Sequence, residues 1–177
     1  MTRGLLLIMA LFVLGNVNSQ EISNLDQVRN EFQSIRDGDD IEQFLEVTVD
    51  QDDPDATTIK AYQAAATCMM AEYVFSPLKK LKYFNQGKGD LERLIEQDKS
   101  VESVYCRLLV QLNVPKILNY YKEIEGDIDF LKAELPSAKI DLDYKNTIIN
   151  NLVTLAGQEE IKNSLLGIDL TGKQNKT

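Results

Sequence analysis

The side chains that could do chemistry in this chain are tyrosines, lysines, carboxylates and two cysteines, because the sequence contains no histidine and no tryptophan. The lack of histidine excludes Ser-His-Asp and Cys-His relays and removes a common ligand of zinc. Two carboxylates about 5 to 9.5 Å apart could serve glycoside chemistry, but the sequence alone does not pair distant helices. We therefore assign no catalytic, cofactor-binding or metal-binding residue from the sequence.

Tyrosine is the most informative of these side chains, because a phenol ring can line a groove and still form a hydrogen bond. Most of the seven tyrosines fall at the spacing of core positions. The adjacent pair Tyr120 and Tyr121 is the exception, since successive helical residues are rotated by about 100°. One ring of this pair is expected to face outward, and both residues are candidates for an interaction surface.

A cluster of lysines stands out in this otherwise acidic chain. It consists of Lys79, Lys80, Lys82 and Lys88. These side chains could contact an acidic partner, so we add them to the candidate interaction surface. The competing interpretation is the solvated face of one helix, which is what a run of like charges usually is.

Two short motifs have the composition of ligand loops but not the spacing. Residues 50–55 read DQDDPD, and carboxylate-rich loops attract calcium, yet neither Asp37 nor Asp50 begins a loop with the Gly and Glu positions of an EF-hand. The sequence Gly87-Lys88-Gly89 lacks the spacing of a phosphate loop. We interpret the first as a solvated linker. The second is a helix that either bends or packs closely against a neighbour.

The two cysteines, Cys68 and Cys106, have each other as the sole possible disulfide partner within the chain. A bridge would close a loop of about 39 residues and contribute roughly 4 kcal/mol. Both cysteines lie in apolar helical segments, where an unpaired thiol packs as a small hydrophobe. In parallel helices in register they would be offset by about 9 Å along the axis, more than a disulfide tolerates. We expect buried thiols.

Helices must position all of these side chains, because apolar residues recur at helical spacing and no convincing alternation indicates a strand. Ser76 before Pro77 marks one helix start, and Ser100 marks the next. Gly157 is typical of a helix C-cap. The expected helices cover about residues 23–35, 41–45, 56–75, 78–98, 100–112, 117–124, 128–135, 139–156 and 161–166.

Residues 1–19 predict a cleavable secretory signal. Arg3 precedes an apolar run from Leu5 to Leu14, and Val17 and Ser19 are small residues suited to a cleavage site. A retained anchor would need roughly 20 apolar residues to cross the membrane. A lipoprotein would need a cysteine where Gln20 stands. We therefore expect a mature chain that begins at Gln20 and is secreted or periplasmic.

Residues 20–177 have the size of one domain, with a polar C-terminal tail over about 171–177. The net charge is −9 for the whole chain and −10 once Arg3 leaves with the signal. Such a charge repels phosphate backbones and anionic lipid surfaces at long range. We expect no nucleic-acid partner and no stable membrane insertion after cleavage of the signal.

Residues 87–112 resemble the boundary between two tetratricopeptide units. Lys99 stands in place of the proline between repeats, and Leu109 in place of a small residue, so about one and a half units could be aligned. The resemblance implies stacked helix pairs. The matching small and large apolar positions are Gly87, Leu91, Leu94, Tyr105, Leu108 and Leu112.

Residues 59–131 also resemble a family of secreted, uncharacterised helical proteins from bacteria of the Bacteroidota type. The segments that carry this resemblance include AYQAAATCMMAEYVF and SVYCRLLVQLNVPKILNYYKEIEGDIDFL. It implies a secreted or periplasmic location and a helical-repeat-like fold. It implies no catalytic residue, because the family has no assigned activity.

Together these patterns predict an all-α domain of antiparallel helix pairs, stacked as a short array like tetratricopeptide repeats or as an irregular bundle. Such arrays expose a concave face that binds proteins. The favoured function is therefore a non-enzymatic interaction or scaffold module for another envelope or secreted protein. The alternative is a small-ligand-binding protein or carboxylate-dependent enzyme with a pocket between helices, lined by Tyr120, Tyr121 and acidic residues. A helical bundle without a single ligand stays open as a third interpretation.

Overall fold

The structure, a computed structural model, describes residues 24–170, which form eight α-helices and one 3-10 turn without any strand. The predicted signal segment, Gln20 and the polar tail lie outside the described residues. The all-helical prediction is confirmed. The helices are α1 Asn24–Gln33, α2 Gly38–Leu45, α3 Ala56–Tyr73, α4 Pro77–Gln97, α5 Val101–Asn113, α6 Ile124–Glu134, α7 Leu142–Leu155 and α8 Glu159–Leu166.

Side-chain caps begin several of these helices where the sequence predicted. The Ser76 hydroxyl accepts a hydrogen bond from the Lys79 backbone N–H, and Pro77 occupies the first position of α4. Ser100 and Ser103 form a reciprocal capping box at the start of α5. A cap satisfies backbone donors that have no partner within the helix, so both predicted starts are confirmed.

Helices α3 and α5 form the centre of a bundle-like arrangement. Helix α3 packs against α1, α2, α4 and α5, and α5 packs against α3, α4, α6 and α7. The rings of Tyr62 and Tyr105 lie 6.4 Å apart near one end of this pair, and Asn113 donates to the Glu72 side chain near the other. The two central helices therefore run parallel.

Helix α4 runs antiparallel to α3 and is unbroken through Gly87 and Gly89. A Cβ atom at Gly87 would collide with the Ala64 carbonyl oxygen and lie 2.6 Å from the Cys68 sulfur, whereas one at Gly89 would meet nothing within 4 Å. Close packing at Gly87, rather than a bend, explains the predicted glycine pair. The missing side chain brings the two helix backbones together at this crossing.

The segment after α5 differs from the prediction. Instead of a helix over 117–124, the chain forms a 3-10 turn at Lys116–Leu118 and a left-handed residue at Asn119, whose φ is 52°. Pro115 lacks a backbone N–H and interrupts the helical hydrogen bonds, and Asn tolerates the left-handed region. Helix α7 likewise starts at Leu142 rather than near 139, because Asp141 caps it.

Both cysteines are buried, free thiols, as the sequence predicted. Cys68 donates a weak hydrogen bond to the Phe84 carbonyl oxygen at 3.6 Å. Burial raises the pKa of the Cys68 thiol to about 12, and burial likewise raises the pKa of Cys106 well above its ordinary value. Both thiols are protonated at neutral pH and pack as small apolar groups.

None of the helices between residues 24 and 170 is both long and apolar enough to cross a membrane.

Candidate functional site

A groove of about 720 Å³ lies among α3, α4, α5 and α7, with the end of α1 beside it. Its lining is mainly apolar, and small-molecule sites in proteins typically enclose about 300 to 1,000 Å³. Alanine and cysteine on α3 leave the space that larger side chains would fill. Representative lining residues are Ala65, Cys68, Leu81, Phe84, Leu109 and Val110.

Three uncharged polar side chains meet at one end of the groove, which we call the tyrosine end. The Tyr105 hydroxyl accepts hydrogen bonds from Asn151 Nδ2 at 2.7 Å and from Gln33 Nε2 at 3.2 Å. Asn151 Nδ2 also donates to Gln33 Oε1 at 2.8 Å. Burial raises the pKa of Tyr105 to about 12. This end therefore presents neutral hydrogen-bonding groups.

The other end, which we call the lysine end, carries charge. Lys80 and Glu72 line it together with Asn113, and all three side chains are exposed. Asn113 Nδ2 donates to Glu72 Oε1 at 2.5 Å, and Lys80 Nζ lies 3.5 Å from the Glu72 carbonyl oxygen. Tyr105 and Asn113 are separated on α5 by about 12 Å of helix at 1.5 Å per residue. An apolar stretch of that length joins the two polar ends.

A buried ion pair fixes the helices around the tyrosine end. Arg29 of α1 binds Glu102 of α5 through Nε at 2.8 Å and Nη2 at 2.6 Å. Tyr62 of α3 donates to Glu102 at 2.6 Å, so the Tyr144 hydroxyl, 2.7 Å away on α7, donates to Tyr62. Burial lowers the pKa of Arg29, but hydrogen bonds and charge attraction from Glu102 outweigh this and raise it overall. The network joins four helices.

A second buried ion pair lies on the side of α5 that faces α4 and α6. Arg107 binds Asp127 through Nε at 2.7 Å and Nη2 at 2.5 Å, and its Nη1 binds Glu92 at 2.7 Å. The Tyr120 hydroxyl donates to the other Glu92 oxygen at 2.6 Å. Burial and this hydrogen bond raise the pKa of Tyr120. Helix α5 is thus held on two sides by bidentate arginine–carboxylate pairs.

These pairs bear on the enzyme alternative, because they engage the buried carboxylates Glu92, Glu102 and Asp127. Among the described residues that line the groove, Glu72 is the sole carboxylate. Glycoside chemistry requires two facing carboxyl groups, and this groove does not provide the pair. Within residues 24–170, no cluster of three or more His, Cys, Asp or Glu side chains could hold a metal ion.

The acidic turn over residues 50–55 uses its carboxylates for local hydrogen bonds. Asp50 accepts from the Asp52 backbone N–H at 3.0 Å, and Asp53 accepts from the Asp55 backbone N–H at 2.8 Å. Asn24 also donates its side-chain amide to Asp53. Asp side chains commonly stabilise turns in this way, which fits a solvated linker before α3.

The structure separates the predicted surface residues. Lys80 lines the groove, whereas Lys79 and Lys82 are exposed elsewhere on α4. Tyr120 is buried and Tyr121 is 49% exposed, which confirms that one ring of the pair faces outward. Neither ring lines the groove, so the predicted tyrosine lining is supplied by Tyr105 instead.

Lys88 lies apart from the other three lysines in its contacts. Its ammonium group is 4.8 Å from the centre of the Tyr120 ring and 6.0 Å from that of Phe84. A cation over an aromatic face is attracted by the ring quadrupole. Lys88 and Tyr120 are therefore the two candidate residues that the structure brings together, and their contact covers the buried Glu92 network.

Sequence reasoning missed Gln33 and Asn151, which are 118 positions apart. Polar residues at the edge of a helical stripe carry no local signal for such a meeting. The alanine-rich composition of α3 was visible in the sequence and does indicate close approach or free space. Comparison of the chain with protein-family models, with curated proteins and with solved structures found no match, so its family resemblances stay predictions.

Proposed function

We propose that this protein binds a small, elongated and mainly apolar ligand in the groove between α3, α4, α5 and α7. The observation that carries this proposal is a concave apolar volume of about 720 Å³ with hydrogen-bonding groups at two ends. Apolar contact supplies affinity of roughly 0.8 kcal/mol per buried methylene group, and a few polar groups orient the ligand.

The helices that line the groove are braced before any ligand arrives, which supports binding. The Arg29–Glu102 and Arg107–Asp127 pairs fix α5 relative to α1 and α6. A site that is already ordered loses less conformational entropy when it binds. The groove therefore has the character of a preformed site.

A neutral solvatochromic dye provides the direct test on the chain that begins at Gln20. Ala71 lines the groove, so Ala71→Trp should fill part of it and weaken dye binding about tenfold, equal to roughly 1.4 kcal/mol. The matched control is Ala133→Trp on the exposed surface of α6, which should bind like the unchanged chain. Equal affinity of the two variants would rule out the groove as the site.

A protein-interaction module is the second candidate, favoured by apolar side chains beside the lysine end. Phe75 is fully exposed, Leu78 is 79% exposed and Ile117 is 90% exposed. Exposed apolar patches commonly mark interaction sites. Crosslinking of the exported chain should yield a partner that Phe75→Asp loses and that a control, Leu166→Asp on α8, retains. Equal yields from the two variants would contradict this candidate.

Export from the cytoplasm is part of the same proposal and is supported by the pattern of residues 1–19. Intact-mass measurement of protein recovered outside the cytoplasm should give a chain that begins at Gln20. Recovery of a chain that retains Met1 would overturn the proposed cleavage.

A further inference from the structure

We propose that the ligand is an anionic amphiphile of the long-chain carboxylate class, with its acid group at Lys80 and its chain extending along the groove toward Tyr105. This inference rests on the proposed function and adds the chemistry of the headgroup. It is carried by the distribution of charge and polarity along the groove, which differs sharply between the two ends.

Lys80 is the sole cationic side chain among the described residues that line the groove. Its ammonium group has three N–H donors, and the contact found for it is the Glu72 carbonyl oxygen at 3.5 Å. It forms no ion pair with any residue between 24 and 170. Lys80 therefore keeps donors and an uncompensated charge for an incoming anion.

The chain segments that border the lysine end are basic, although the whole protein is acidic. Residues 74–89 and 103–122 contain no Asp or Glu, while the full sequence contains 28 such residues. Lys79 and Lys82 neighbour Lys80 on α4, and Lys116 lies on the turn after α5. A local excess of positive charge attracts anions even on a protein of negative net charge. The net charge of the chain alone does not reveal this local excess.

Glu72 is the opposing charge and faces the same end from α3. Its carboxylate accepts a hydrogen bond from Asn113 at 2.5 Å, and it lines the groove as Lys80 does. A carboxylate ligand at Lys80 would be repelled by Glu72. The Lys80 assignment consequently predicts that neutralising Glu72 tightens binding of an anion, whereas an ammonium ligand would lose its counter-charge.

The tyrosine end does not suit an ionised headgroup. Tyr105 is fully buried, and its hydroxyl already accepts two hydrogen bonds from uncharged amides. An unpaired charge placed in such a site would lose its hydration without a compensating partner. At the lysine end, exposed Lys80 and Asn113 let the acid group stay partly hydrated. The apolar chain is thus directed along the groove toward Tyr105.

The test compares dodecanoate, its methyl ester and dodecylamine by displacement of the neutral dye from the chain that begins at Gln20. We expect dodecanoate to bind about threefold more tightly than the ester, as an exposed ion pair contributes up to about 1 kcal/mol. Lys80→Glu should weaken dodecanoate about fivefold and leave the ester within about twofold. Glu72→Gln should tighten dodecanoate binding, and added salt should reduce the preference for it.

Lys79→Glu is the matched control, because it makes the same charge change one residue away without lining the groove. Equal losses from Lys79→Glu and Lys80→Glu, or no preference for dodecanoate over its ester, would overturn the headgroup assignment. Tighter binding of dodecylamine would also overturn it and assign the headgroup to Glu72. If neither the dye nor any amphiphile binds, the proposed function itself fails. Retention of helical content in Lys80→Glu and the conservative Lys80→Gln excludes misfolding as the cause.

Discussion

Asn151 of α7 donates a 2.7 Å hydrogen bond to the Tyr105 hydroxyl of α5, and this contact closes the tyrosine end of the groove. Gln33 of α1 donates to the same oxygen at 3.2 Å. Three helices that are distant in sequence therefore meet at one phenol group. The arrangement gives the groove an uncharged polar end within a mainly apolar lining.

Replacing Tyr105 by Phe should lower the free energy of unfolding by about 1 kcal/mol, because the buried ring stays while two amides lose a shared acceptor. Urea unfolding followed by circular dichroism measures this loss. Tyr121→Phe is the control, since its ring is half exposed and surface changes usually stay within about 0.5 kcal/mol. An equal effect of the two substitutions would show that the hydrogen bonds to Tyr105 contribute nothing measurable.

The two glycines of α4 should respond in opposite directions to alanine. Gly87→Ala places a methyl group against the Ala64 carbonyl and the Cys68 sulfur and should destabilise by about 1 to 3 kcal/mol. Gly89→Ala meets nothing within 4 Å and should stabilise by about 0.5 to 1 kcal/mol, because alanine favours helix. Thermal unfolding of both variants tests this. Similar shifts in melting temperature would contradict the close crossing of α3 and α4.

Local signals explain why helix starts were predictable and the groove was not. Ser76 and Ser100 act within their own helix turns, so the sequence alone reveals them. Pairing of Arg29 with Glu102 spans 73 positions and depends on how α1 and α5 pack. The helix expected over 117–124 failed because its apolar spacing has another cause. Leu118 lines the groove there, while Ile117 is exposed.

The Arg29–Glu102 pair should be far more sensitive to losing one partner than to losing both. Arg29→Met leaves a buried carboxylate with the Tyr62 hydroxyl as its remaining neutral donor, and a cost of about 3 to 5 kcal/mol is expected. Combining it with Glu102→Leu should recover much of that loss, since apolar replacement of a whole buried pair is often nearly neutral. Urea unfolding of single and double variants completes the cycle. Additive losses would show that the two side chains do not interact.

Alkaline pH should destabilise the fold through its buried thiols and phenols. Burial raises the pKa of Cys68 from 9.0 to about 12 and that of Tyr105 from 10.0 to about 12. Above about pH 9 the unfolded chain releases these protons while the folded chain retains them, so unfolding becomes more favourable as pH rises toward 12. Below about pH 9 both states are protonated and the contribution is complete.

Urea unfolding midpoints measured at about pH 8 and about pH 10.5 should therefore fall with rising pH. Cys68→Ala removes one of the titrating groups and should make this fall shallower, whatever the stability of that variant at about pH 8. The slope with pH separates ionisation from packing, because the lost contacts of the sulfur do not depend on protonation. A midpoint that stays constant over this range would mean that Cys68 and Tyr105 ionise as readily in the folded protein as in the unfolded chain.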